Sequence, residues 1–127
     1  MAGNPYAKAA AFRSALRRFL KTSEDAARKA GITPRQHLLL LQVAGSPEGT
    51  ATVSGLVEKL ALTQSAVTEL VQRAEQAGLL RRATSAADGR VAHLSLTQAG
   101  AQRLAEVHQA LGPERARLRH LIDALDE

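Results

Sequence analysis

At 127 residues the chain is long enough for one hydrophobic core and too short for a second independent one. Apolar residues make up 45% of it, but Tyr6, Phe12 and Phe19 are its only aromatics; this points to a leucine, valine and alanine core and excludes stacking platforms for single-stranded bases. The lack of cysteine excludes disulfides, thiolate metal sites and thiol switches, while a net charge of +5 favours a polyanionic partner.

No apolar run approaches the ~18 residues of a membrane span, and the first residues lack a signal-like apolar block, so a soluble, cytoplasmic protein with no membrane partner is the expectation. Pro5 to Lys29 is expected to form one long helix, because Phe12, Leu16, Phe19, Leu20, Ser23 and Ala27 recur every three to four positions. Arg13, Arg17 and Lys21 make a stripe on another face, either solvated or turned towards phosphates or an acidic patch. Gly31 supplies the stop. Thr33, Pro34 and Gln36 then hold the parts of a helix start: the N-cap, the first-turn proline and the capping-box glutamine. The second helix runs to about Val43. Its successive leucines, Leu38, Leu39, Leu40 and Leu41, cannot all face one core, and some are expected against the first or last helices or a second subunit.

Gly45, Ser46, Pro47, Glu48 and Gly49 form a turn-rich break. Thr52 can cap a short helix with Val53, Leu56, Val57 and Leu60 on one face. After the tight connection through Ala61 and Leu62, Thr63 caps the next helix. Two short helices about three residues apart have the spacing of a helix-turn-helix.

Wound at about 100° per residue, the helix after Thr63 has two distinct sides. Val67, Leu70, Val71 and Ala74 face the core. Opposite lie Ser65, Thr68, Gln72 and Gln76, with Gln64 and Glu69 beside them and Arg73 at the margin. Glutamine can bond adenine through two hydrogen bonds, and serine or threonine suits several bases or a phosphate. Gln64, Ser65, Thr68, Gln72 and Arg73 are therefore candidate DNA-reading residues. Any surface helix presents such a face, and the wing-like segment behind this one tips the balance. Gly78 ends the helix, and Leu79, Leu80, Arg81 and Arg82 begin an extended segment. A second extended run alternates, with Ala92, Leu94 and Leu96 on one face and Val91, His93 and Ser95 on the other. Asp88 and Gly89 permit a turn between them, and Arg90 comes next at its tip. An arginine there can enter a narrow minor groove. Asp88 is placed to orient Arg90, or one of Arg81 and Arg82, through a charge-assisted bond. Arg81, Arg82, Asp88 and Arg90 are the candidate wing residues. Charge alone does not locate this site: residues 1–50 carry 8 basic and 3 acidic groups, whereas 51–100 carry 5 and 4.

Thr97 opens a further helix with Leu104, Val107 and Leu111 along one stripe. Gly112 and Pro113 break it and start a last helix bearing Leu118, Leu121, Ile122 and Leu125. The first and last helices lie outside the winged unit and need something to bury against. A two-fold copy is the economical answer, since symmetric dimers are the commonest assembly and palindromic DNA sites mirror them. Leu111, Leu118, Leu121, Ile122 and Leu125 are the candidate dimer residues. The expected fold is mainly α with a small β-hairpin wing, a single domain over 1–127. In it a winged helix-turn-helix at 33–96 sits between dimerisation helices at 5–30 and 97–127. His37, His93, His108 and His120 fall on separate elements without metal-type spacing. No nucleophile motif or phosphate loop is present either, so no metal, cofactor or enzymatic activity is expected. The alternative from another class is a helical dimerisation module that binds protein, or that holds DNA without reading it. Arg90 with Asp88 is the feature such a module would not need.

In element order over nearly its whole length, the sequence resembles the MarR-type winged-helix transcriptional regulators. The resemblance is carried by Ser65, Ala66 and Val67 through Leu70, Val71 and Arg73, and by the helix end Ala77, Gly78 and Leu79 followed by Arg81 and Arg82. The wing Asp88, Gly89 and Arg90, and Leu96 and Thr97 with Gly100, complete it. It implies a homodimer built from the N- and C-terminal helices. Its two recognition helices would enter successive major grooves of a pseudo-palindromic operator in double-stranded DNA, with Arg90 in the minor groove. It also implies a repressor released by a small aromatic anionic ligand. Such a ligand would lie where the first helix meets the winged unit, near Phe12, Phe19, His37 and Leu41, with Arg13 or Arg17 as carboxylate partner. Two departures stand out. Gly89 and Val91 flank the arginine where members commonly carry more basic residues, and Glu69 near the groove face would repel phosphate unless Arg73 pairs with it.

Overall fold

In the computed structural model, which describes residues 3–84 and 90–125, helix starts are fixed by short polar side chains. Asn4 accepts from the Tyr6 N–H at 2.9 Å to open α1 (Pro5–Lys29). The reciprocal pair expected at Thr33 and Gln36 opens α2 (Pro34–Ala44), with both hydrogen bonds at 3.0 Å. Thr52, Thr63 and Thr97 cap α3 (Val53–Leu60), α4 (Gln64–Gln76) and α5 (Gln98–Ala110), each accepting from the N–H three residues on. α6 (Gly112–Leu125) begins one residue past α5. Between α4 and α5, β1 (Leu80–Thr84) and β2 (Ala92–Leu96) pair antiparallel, with Leu80 opposite Leu96 and Thr84 opposite Ala92.

Two helix stops rest on left-handed glycines. At the end of α1, Gly31 (φ 82°) lets the Ile32 N–H reach the Ala27 carbonyl at 3.0 Å. At the end of α4, Gly78 (φ 76°) lets the Leu79 N–H reach the Ala74 carbonyl at 2.9 Å. Both ends swing an apolar residue, Ile32 or Leu79, back into the core.

That core is aliphatic, as the composition required. Leu39, Leu40 and Val43 of α2 meet Leu56, Val67, Val71, Leu94 and Val107, all fully buried. The four-leucine run divides as helical geometry demands, with Leu39 and Leu40 inside and Leu38 and Leu41 exposed. The alternation read in β2 is real: Leu94 is buried, and Leu96 packs against the core from the same face. The sequence reading omitted Ala51, which exchanges two backbone hydrogen bonds with Leu94 (3.0 and 2.8 Å) and adds a one-residue third rung to the hairpin.

The largest helix–helix contact joins α1 and α6. Leu111 corrects an expectation here. Placed at a dimer surface by its stripe, it is only 4% exposed and belongs to the protomer's own core. It lies seven residues after Leu104 and four after Val107, so it extends the inward face of α5 rather than the outer face of α6. No described helix is long and apolar enough to cross a membrane.

Candidate nucleic-acid interface

The turn between α3 and α4 is tight because Ala61 adopts the left-handed conformation (φ 54°), a costly one for a residue with a Cβ. Beyond it, Val67, Val71 and Ala74 anchor α4 in the core, and Leu70 is half-buried against them. This orientation leaves Gln64, Ser65, Gln72 and Gln76 exposed and Thr68 half-buried. The outer stripe is therefore made of hydroxyl and amide groups, the chemistry that reads base edges.

Ion pairs flank this stripe on both sides. On one, Arg73 Nη2 donates to Glu69 Oε1 at 2.7 Å, so the pairing that Glu69 needed is present. On the other, Arg82 of β1 reaches back to Glu75 Oε1 at 2.9 Å, tying the wing to α4. Arg81 Nε donates to Oγ of Ser95, its register partner across the hairpin, at 3.1 Å. Of the candidate wing residues, Arg82 thus has a docking role within the protomer, and Arg81 braces the two strands.

The base of the wing is fixed to α5. Thr97 donates through its N–H to the Leu79 carbonyl at 3.0 Å and through its hydroxyl to the Gly78 carbonyl at 2.5 Å. Gly100 completes the joint, because a Cβ there would overlap the Leu79 carbonyl oxygen. Arg90 is exposed in a turn at the foot of β2. Asp88, named with it as a wing residue, lies outside the described residues.

The expected ligand residues differ in access. His37 is buried, with its Nδ1 3.5 Å from Ser23 Oγ, and burial lowers its pKa. Phe12 and Phe19 are half-buried, whereas Arg13 and Leu41 are exposed. Arg13 lines a shallow groove with Leu16, Arg17 and Leu20 of α1, and the other four expected pocket residues do not line it. Among the expected dimer residues, Leu118 and Leu121 are half-buried, while Ile122 and Leu125 are 46% and 39% exposed. Sequence reasoning passed over two residues on or beside α4. Glu75, which holds Arg82, carried no local signal. Arg35, which lines the grooves beside α4, was read only as part of a helix start.

With this geometry in view, the comparisons with known proteins fall on the same segment. The sequence model of the MarR family matches residues 30–91, which run from the end of α1 to the foot of β2. Over that segment the chain is similar to the MarR family. It is 37% identical over 79 residues to the HTH-type transcriptional repressor MdtR of Bacillus subtilis (strain 168). That match takes in 62% of this chain and 50% of the relative, so the chain spans about half the length of the curated relative it matches. Among solved structures, the YusO protein of Bacillus subtilis superposes with a TM-score of 0.67 at 29% identity, covering 84% of this chain and 74% of YusO. An S. aureus MepR variant bound to an oligodeoxyribonucleotide gives a TM-score of 0.73 at 19% identity, covering 88% and 81%, which is a likeness of fold.

Proposed function

We propose that this chain is a MarR-type, sequence-specific, double-stranded-DNA-binding transcriptional repressor. It acts in the cytoplasm as a homodimer on a pseudo-palindromic operator and has no catalytic role. The observation that carries the reading is the outer stripe of α4, with Gln64, Ser65, Thr68 and Gln72 presented beside a hairpin held to it by Glu75 and Arg82. α4 suits the major groove, and Arg90 suits the adjacent minor groove. A repressor role draws on the likeness to MdtR, and operator binding draws on the DNA-bound MepR variant. A small aromatic anion is the proposed inducer class, since the α1 groove joins two guanidinium groups, Arg13 and Arg17, to the apolar Leu16 and Leu20.

The test is an anisotropy titration against the DNA upstream of the protein's own gene, with random-sequence competitor, at two salt concentrations. Binding that survives competitor is expected. Arg90→Ala should weaken it about fivefold or more, as for the loss of a contact worth about 1–3 kcal/mol, and leave the melting temperature in place. Unchanged affinity would remove the wing from the interface. Binding lost entirely to competitor in the unmodified protein would move the operator elsewhere or leave a grip on DNA without reading.

A further inference from the structure

We propose that Arg35 is a DNA-backbone contact, a guanidinium at the start of α2 that holds a phosphate beside the recognition helix and so positions that helix in its groove. This rests on the DNA-binding reading above and adds to it a residue of α2, outside the α3–α4 pair and the wing.

The need for such a residue arises from the charges on α4. That helix carries Arg73 against two glutamates, Glu69 and Glu75. Arg73 is bound to Glu69, and the arginine nearest the other glutamate, Arg82, is bound to Glu75. Counted with Arg82, α4 is therefore neutral, and the remaining cation at the base of the wing, Arg81, is hydrogen-bonded to Ser95. Affinity for duplex DNA comes first from cations that neutralise phosphates and release their counterions. Those cations have to stand to the side of α4.

Arg35 stands there. It is exposed and makes no ion pair or side-chain hydrogen bond among the described residues. It lines one groove with Ala66, Glu69, Leu70 and Arg73, and a second with Thr33, Pro34, Gln36, Leu70 and Arg73. Both grooves run along the flank of α4 over the turns that also carry Ser65, Thr68 and Gln72. Its backbone is held by the proline before it and by the two 3.0 Å hydrogen bonds between Thr33 and Gln36. A fixed base with a solvated guanidinium suits phosphate, which arginine can grip through two parallel hydrogen bonds. With Glu69 and Arg73 cancelling, the three-residue cluster keeps one net positive charge, and it belongs to Arg35.

The experiment uses random-sequence duplex DNA, so that no operator need be known, and measures affinity at salt concentrations between about 50 and 200 mM. Arg35→Gln is compared with the unmodified protein, with Arg35→Lys and with Arg28→Gln, a surface charge on α1 already paired with Asp25. One lost phosphate contact lowers the salt slope by about 0.9, hence about 1.8 for two protomers. Arg35→Gln should show that loss with an unchanged melting temperature, Arg35→Lys should recover the slope, and Arg28→Gln should keep it. A slope unchanged in Arg35→Gln, in a protein that binds the duplex, overturns this proposal and leaves the DNA-binding reading standing. An unmodified protein without affinity for any duplex overturns both.

Discussion

At the scale of single residues, His37 shows how burial acts on a group that the sequence alone placed near a ligand. It sits at the contact of α1 and α2, 4% exposed, with the hydroxyl of Ser23 as its neighbour at 3.5 Å. Removal from water holds its pKa below the ordinary 6.5, because the imidazolium would lose hydration that a neutral serine does not replace. The folded chain therefore takes up this proton at lower pH than the unfolded chain does. Its contribution to stability is complete above pH 6.5 and is lost as pH falls from 6.5 through the depressed value. Thermal unfolding followed between about pH 8 and pH 5 checks this. His37→Gln, which cannot titrate, should show a smaller drop in melting temperature across that range than the unmodified protein. An equal drop in both would place the acid sensitivity at other groups.

Among the elements, the joint between α4, the wing and α5 carries the most consequence. The end of α4 turns at Gly78, and the Leu79 carbonyl then accepts from Thr97 while lying against Gly100. A methyl group on Gly100 would meet backbone, which cannot swing away as a side-chain tip would. Gly100→Ala should therefore push α5 off the end of α4 at a cost of about 1–3 kcal/mol. That is a fall of several degrees in melting temperature, with weaker DNA binding as the wing base shifts. A variant as stable as the parent would show that α5 can slide without penalty. This joint also marks where the sequence stops being legible. Thr33, Thr52, Thr63 and Thr97 announce their helices because a cap is a local bond, made within three residues. The β2 alternation and the apolar stripe of α4 are equally local. The Glu75–Arg82 pair, the Ala51 rung on Leu94 and the 2.9 Å bond from Arg103 to the Ala30 carbonyl join residues that only the folded chain brings together, so no periodicity encodes them. Leu111 failed for a related reason: an apolar stripe looks the same whether its own protomer or a second copy covers it.

For the whole molecule, the stripe on α6 leads to a test of assembly. The family match stops at residue 91, so the packing of α1 on α6 rests on this chain's own geometry. Arg18 Nε lies 3.5 Å from Glu114 Oε1 where the two helices meet. On α6, Leu118 and Leu121 are half-buried, but Ile122 and Leu125 remain open, as does Leu20 on α1, which is 54% exposed. Covering an isoleucine or leucine side chain fully is worth about 1.5–3 kcal/mol, and a two-fold axis covers each residue twice. Ile122 is the better probe because substitution at an exposed position spares the protomer core. Ile122→Glu should convert a dimer into monomers in sedimentation equilibrium, and a glutamate facing its symmetry mate would add repulsion to the lost burial. The far-ultraviolet spectrum should stay unchanged, while the melting temperature should lose its dependence on protein concentration. DNA affinity should fall as well, because a monomer can engage only one half-site of a palindrome. If Ile122→Glu remains dimeric with concentration-dependent melting, the second copy must cover a different apolar surface, and the exposed Leu38 and Leu41 of α2 become the residues to substitute next.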